Sequence, residues 1–198
     1  GVTDVLPEIK GLQPLWGRQV ISCPFCDGWE LRDEPTALIM NGTDLENMLP
    51  MVASLHQQVV IASNGPLNVS PIFSDWIEQK EIPVHSERID AISDKDELAT
   101  ISLQNGSTIE VKAIYIKPEL SFNNQLAIAL ECILSPEGSV AVDHNYQTSV
   151  EGVYAIGDLA SPHLHQVIFA ASSGTRAAMR CLNELVKREL ISVKNHDQ

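Results

Sequence analysis

The stretch from residue 36 to residue 62 constrains the fold most. Thr36-Ala37-Leu38-Ile39-Met40 is an apolar run bounded by Pro35 and Gly42, as in a strand buried on both faces. Residues 43–56 then place Leu45, Met48, Leu49, Val52 and Leu55 at helical spacing, with Pro50 predicting a kink. Gln58-Val59-Val60-Ile61-Ala62 is the next strand. Strand, helix and strand at this spacing form a βαβ unit, which requires a parallel sheet.

The remaining pattern is also mixed α/β. Residues 1–15 read as a loop-like entry, and Val20-Ile21-Ser22 as a short strand. A short helix is expected over 71–80. Strands are expected at Val84, Ile89–Ile92, Leu98–Leu103 and Ser107–Ile116, with Asn105-Gly106 as a hairpin turn. After Pro118 the pattern changes. Phe122–Leu130 reads as a helix, Ser139–Val142 and Val153–Ile156 as strands, and residues 166–191 as a long helix with small residues from Ala170 to Gly174.

Net charge is −13, which argues against a nucleic-acid partner, because phosphate binding needs clustered Lys and Arg. No apolar run reaches the roughly 20 residues of a membrane-spanning helix, so no membrane role is expected. The N-terminus, Gly1-Val2-Thr3-Asp4, has no initiator Met and no basic-then-apolar leader. Four cysteines in 198 residues do not make a secreted disulfide scaffold, and a reducing, cytoplasmic setting is expected. Cys132 and Cys181 lie in apolar, helix-like stretches and are expected in the core.

Cys23 and Cys26 form a CxxC. Such a pair can be half a zinc site, a redox dithiol or a chance occurrence. A structural zinc site needs more ligands, and no second CxxC exists. His163 and His165 are spaced more tightly than zinc-finger histidines, so no metal is expected. The redox reading fits the neighbours. Pro24 stiffens the loop, and Asp27 can take and return a proton once burial raises its pKa.

Cys23-Pro24-Phe25-Cys26-Asp27-Gly28 resembles the active-site stretch of low-molecular-weight thioredoxin reductases, and Trp29-Glu30 follows it in their relatives. Gly1 to Gly11 resembles the exit from that family's first flavin-domain segment. Gly152-Val153-Tyr154-Ala155-Ile156-Gly157-Asp158 resembles its second flavin motif, and His165-Gln166-Val167 with the helix from Ala170 to Arg176 its C-terminal flavin segment. The resemblance implies two Rossmann-like dinucleotide-binding domains, with the FAD domain incomplete. Residues 1–16 would be an FAD-domain segment and linker, 17–117 an NAD(P)-type domain carrying the CxxC, and 118–198 the rest of the FAD domain. It also implies that Cys26 faces the flavin, Cys23 meets the substrate and Asp27 carries protons. FAD would be held by Gly157, Asp158, His165, Gln166 and Val167. A glycine permits close backbone approach, an aspartate accepts from ribityl hydroxyls, and a helix start favours the negative charge of a reduced flavin.

The chain departs from the family at three places. After the strand 36–40 the family has G-x-G-x-x-A, whereas Met40-Asn41-Gly42-Thr43-Asp44-Leu45-Glu46 keeps one glycine and adds two acids. After strand 58–62 the basic motif for the NADPH 2′-phosphate is replaced by Ser63-Asn64-Gly65-Pro66-Leu67-Asn68. Both losses argue against NADPH. The family's first G-x-G-x-x-G is not in the chain, and truncation is the expected reason. The expected function is therefore an FAD-dependent thiol–disulfide oxidoreductase, homodimeric by resemblance. Its donor would not be NADPH but, for instance, a ferredoxin-type protein, and its substrate thioredoxin or a similar dithiol protein. Two alternatives stand beside it. One is a dithiol oxidase that passes electrons from a small-molecule or protein dithiol through the pair and FAD to O₂. The other is a cofactor-less binding module.

Overall fold

The computed structural model describes residues 1–196, with side-chain surroundings described to Glu189. The chain divides into two compact units, Leu6–Pro118 and a flanking unit of Gly1–Val5 with Glu119–Gln198.

The central unit is built on a five-stranded parallel sheet. Its strands are β2 (Val20–Ile21), β3 (Thr36–Leu38), β4 (Val59–Ala62), β5 (Val84–His85) and β9 (Ala113–Tyr115), in the order β2-β9-β3-β4-β5. The βαβ unit forms as expected, with α2 (Gly42–Leu55) crossing from β3 to β4 and running on through Pro50. Leu45, Leu49 and Val52 of α2 pack with Leu38, Ile61 and Tyr115 on one sheet face, together with Ile77 of α3 (Pro71–Gln79). The other face carries Val20, Ala37 and Ile114. They share a core with a three-stranded antiparallel sheet of β6 (Ile89–Lys95), β7 (Leu98–Leu103) and β8 (Thr108–Val111). Near-complete burial on both faces is why the parallel strands read as unbroken apolar runs.

Ser107–Ile116, expected as one strand, is two. β8 belongs to the antiparallel sheet and β9 to the parallel one. The Lys112 N–H between them donates to the Pro35 carbonyl at 2.8 Å, drawing the chain from one sheet into the next. The segment 1–16 also divides differently from its expected role. Gly1–Val5 stays with the flanking unit, while Leu12 and Leu15 are buried in the central core.

In the flanking unit β1 (Val2–Val5) pairs antiparallel with β10 (Glu119–Phe122), so the entry is not the expected loop and the expected helix 122–130 begins as a strand. The helical part is α4 (Gln125–Ala129). The expected strands 139–142 and 153–156 make only isolated bridges, Leu134 to Val140, Val142 to Thr148 and Gln147 to Tyr154. Ala127, Cys132, Val140 and Ala155 form its core, and α5 (Val167–His196) is the long helix. Cys132 is buried as expected, but Cys181 is only half-buried on α5. Among the described residues no helix is long and apolar enough to cross a membrane.

Candidate functional site

β2 delivers the chain to Cys23, which has extended backbone, and Pro24 then starts the one-turn helix α1 (Pro24–Asp27). Proline suits this first helical position because its missing N–H would have had no partner there. The Cys26 and Asp27 N–H groups both donate to the Cys23 carbonyl, at 3.1 and 3.3 Å. That turn folds the motif back on itself and brings the two sulfurs to 2.6 Å. Gly28 ends α1 where a side chain has no room. A Cβ there would stand 2.3 Å from the Pro24 carbonyl oxygen and 3.0 Å from Leu55 Cδ1. Cys23 is half-buried and Cys26 exposed. Asp27 is also exposed, so the burial expected to tune it is not present in the described structure.

Two buried titratable side chains lie beneath this motif, and no local sequence pattern announces either. Tyr115 on β9 is fully buried, and its register places it beside Ile21 of β2. Its hydroxyl is 3.2 Å from His56 Nε2, and the two rings meet edge to face. His56 Nδ1 is 3.1 Å from Thr36 Oγ1, which itself donates to the Glu34 carbonyl. Thr36 has one proton to give, so His56 Nδ1 carries the proton in that contact and Nε2 is left to accept from Tyr115. Burial pushes the Tyr115 phenol up to about 12, helped by the negative charges of Asp27 and Cys23. Burial likewise lowers His56, against the carbonyls of Leu31 and Glu34.

The sheet order makes β3 and β9 the strands at which the topology switches direction, the usual ligand crevice of an open α/β sheet. Here the chain's own side chains bond to one another and to the neighbouring loop. Asn41 Oδ1 accepts from the Gly42 N–H at 2.9 Å and the Asn68 N–H at 2.8 Å. Its amide donates to the Pro66 carbonyl at 2.9 Å. Glu46 accepts from the Ser70 N–H, so the loop after β4 is tied to the start of α2. Lys117, following β9, forms an ion pair with Asp44 in the first turn of α2. Gly42 has φ +58°, a left-handed backbone that glycine tolerates best. Sequence reading found no base in the loop after β4, but Arg88 supplies one from another loop. Its guanidinium carbon lies 3.7 Å from where a Cβ on Gly65 would stand.

In the flanking unit Gly157 opens a 3₁₀ turn, Gly157–Ala160, with φ +62°. Its N–H donates to Ser173 Oγ at 3.0 Å. A Cβ at Gly157 would lie 3.5 Å from Ala170 Cβ, and one at Gly174 would lie 3.5 Å from Ile156 Cδ1. The small residues of α5 thus let the helix start pack closely on the turn. The Asp158 carboxylate is half-buried with no hydrogen bond or ion pair among the described residues. His165 Nε2 is 2.8 Å from the Ser161 carbonyl, and its ring meets Phe122 edge to face. The Gln166 carbonyl accepts from the Phe169 and Ala170 N–H groups and so starts α5. Val167, at the helix start, is 88% exposed. Among the described residues no three His, Cys, Asp or Glu side chains converge as a metal site would need.

A model of the pyridine nucleotide-disulphide oxidoreductase family matches residues 1–174. The chain belongs to that family. It is 28% identical over 195 residues to thioredoxin reductase sirT of Leptosphaeria maculans, covering 89% of this chain and 58% of that one. It is 26% identical to a thioredoxin reductase of Helicobacter pylori, covering 89% and 61%. The structure of TrxB from Bacillus anthracis superposes with a TM-score of 0.87 at 29% identity, over 96% of this chain and 64% of that one. The crystal structure of HlmI shares the fold, with a TM-score of 0.90 at 24% identity over 99% and 61%. The fold is thus the α/β type of the thioredoxin reductases, and the chain spans about three fifths of the length of these relatives.

Proposed function

We propose that the chain is the thiol–disulfide exchange part of an FAD-dependent oxidoreductase whose electron donor is not NADPH. The observation that carries this reading is the contrast between two places in the central unit. The sulfurs of Cys23 and Cys26 are held together, while at the crevice for a nicotinamide cofactor Asn41 caps its own turn and Asp44 pairs with Lys117. A pyrophosphate would have to break the Asn41 contacts and approach the Asp44 carboxylate, both of which oppose its binding.

In this reading the Cys23 thiolate attacks a substrate disulfide, forming a mixed disulfide and releasing one substrate thiol. Cys26 then displaces the second sulfur and closes the pair, with Asp27 taking and returning the proton. FAD, when bound, supplies the two-electron exchange that reopens or recloses the pair. The open Asp158 carboxylate, the close approach at Gly157 and the helix start at Gln166 and Val167 fit such a group, with His165 beside them. Thioredoxin-type proteins and small dithiols are the substrate classes, a ferredoxin-type protein is one class of donor, and a homodimer is the assembly.

The test is a titration of the full-length flavoprotein with NADPH, following bleaching of the visible flavin band. The expected result is bleaching only at millimolar NADPH; bleaching at micromolar NADPH would sink the proposal. These crevice contacts equally favour running the chemistry in reverse, as a dithiol oxidase. Hydrogen peroxide formed on adding a dithiol in air, with no other reductant, would select that direction.

A further inference from the structure

We propose that Phe25 and Trp29 form a docking platform for a small disulfide or dithiol carried on an apolar, aromatic body, and so select what reaches the cysteine pair. This rests on the reading of Cys23 and Cys26 as the redox centre.

Phe25 stands between the two cysteines in α1 and is 80% exposed. Trp29 follows four residues later and is 67% exposed. Single exposed apolar residues are ordinary, but two large exposed aromatics four residues apart in sequence, one on either side of Cys26, need a reason. Position supplies one. A body attached to any sulfur that bonds to Cys23 or Cys26 comes within side-chain reach of the residue between them.

Trp29 is also built into place rather than left loose. The Arg32 guanidinium carbon lies 4.5 Å from the indole centre, and Nη1 donates to the Trp29 carbonyl at 2.8 Å. Asp33 holds the same guanidinium at 3.4 Å. A ring fixed in advance loses little freedom when a ligand stacks on it. The cation–π contact also helps to hold the indole in one orientation.

Size and charge decide the class of occupant. Two aromatic side chains offer about 150–250 Å² each, well below the roughly 800 Å² a standard protein partner covers. They suffice for one face of a small ring system. The segment from residue 27 to residue 34 carries Asp27, Glu30, Asp33 and Glu34 against Arg32, so anionic bodies are disfavoured.

The exchange can be followed without flavin. A Cys thiolate attacks the probe disulfide, an S–S bond forms to the cysteine, and one probe thiolate leaves. The other cysteine then attacks, closing Cys23–Cys26 and releasing the second probe thiolate. Two electrons pass from the pair to the probe, and the two cysteine protons end on the released thiols.

The experiment uses the reduced 198-residue chain with 4,4′-dithiodipyridine as neutral aromatic probe and 2-hydroxyethyl disulfide as small polar probe. The readout is the ratio of their rates, divided by the same ratio for free dithiothreitol. Phe25→Ala and Trp29→Ala should each lower this normalised ratio about tenfold. Ile72→Ala, on α3 and 84% exposed, should leave it unchanged. An unchanged ratio in both aromatic variants overturns the platform. So does an equal loss with both probes, which would mark an effect on the thiols themselves. A larger loss with oxidised thioredoxin than with the aromatic probe overturns it in favour of a protein partner. If wild type reacts with no disulfide at all, the redox reading fails together with the platform, and that outcome is recognised because no probe responds.

Discussion

The two glycine turns of this chain resemble each other in backbone and differ in what their polar groups do. Gly42 and Gly157 both follow strand-like segments in left-handed conformation, and each is followed closely by an aspartate. At the first, Asn41 caps its own turn and Asp44 is paired with Lys117. At the second, the Asp158 carboxylate has no partner among the described residues. A turn that serves a ligand leaves hydrogen-bonding capacity for it. A turn that has lost its ligand can stabilise the fold with the same groups. Under the proposed function, the difference teaches that a decayed motif would be recognised by where its polar groups have gone, not only by which glycines are missing.

The strongest way to break the comparison is Asp158→Ala in the full-length flavoprotein. Losing hydrogen bonds to a charged acceptor, each worth about 1.5–3 kcal/mol, should weaken flavin retention by tenfold or more. Flavin content per polypeptide after gel filtration measures it, and Asp44→Ala should retain flavin fully. If the two variants lose flavin alike, the turns do not differ in kind.

Next comes the closed turn itself. Asn41→Ala removes the cap of α2 and leaves the Asn68 N–H without its acceptor. A stability loss of about 2 kcal/mol is expected from urea midpoints. A loss below a few tenths of a kcal/mol would mean that the crevice is not held shut by this residue.

A third test asks whether the closed turn acts independently of the far end of β3, where Thr36 meets His56. His56 is lowered from 6.5 by burial, so below pH 6.5 the unfolded chain binds a proton that the folded chain refuses. Its contribution is complete above pH 6.5 and is lost as pH falls through the lower folded value. Wild type should lose stability across that window, and His56→Gln should lose less. The cost of Asn41→Ala should be equal at pH 8 and pH 5, and a pH-dependent cost would show that the two ends are coupled.

The smallest effect belongs to Lys117→Ala. Both partners of its ion pair are about half exposed, so the loss should be below about 1 kcal/mol and should shrink in high salt. A larger, salt-independent loss would mean that Lys117 closes the crevice by packing.

Legibility in the sequence followed the range of the interaction. The βαβ unit was readable because β3, α2 and β4 are adjacent and buried on both sides. The cysteine motif was readable because its geometry is made within one helical turn. The break at Lys112 was hidden, since both sheets ask for apolar residues on either side of it. The β6–β7 hairpin was hidden as well. Its turn residues Asp96 and Glu97 take φ +52° and +68° without a glycine to announce them. The Tyr115–His56 pair depends on residues brought together from β9 and the end of α2, which no local pattern encodes. Asp158 stood among the candidates, but the absence of a side-chain partner for its carboxylate among the described residues could be seen only in three dimensions.

The pairing of β1 with β10 has a consequence for the order of folding. Val5 stands opposite Glu119 in that ladder, and the whole of the central unit lies between them in the chain. Closing so long a loop while it is still a coil costs chain entropy for a short ladder in return. Once residues 6–118 have folded, the two strands are short extensions of one compact body, and most of that cost has already been met. The ladder is therefore expected late in folding, after the central unit. Stopped-flow refolding with a probe on the β1–β10 ladder should lag behind burial of Tyr115.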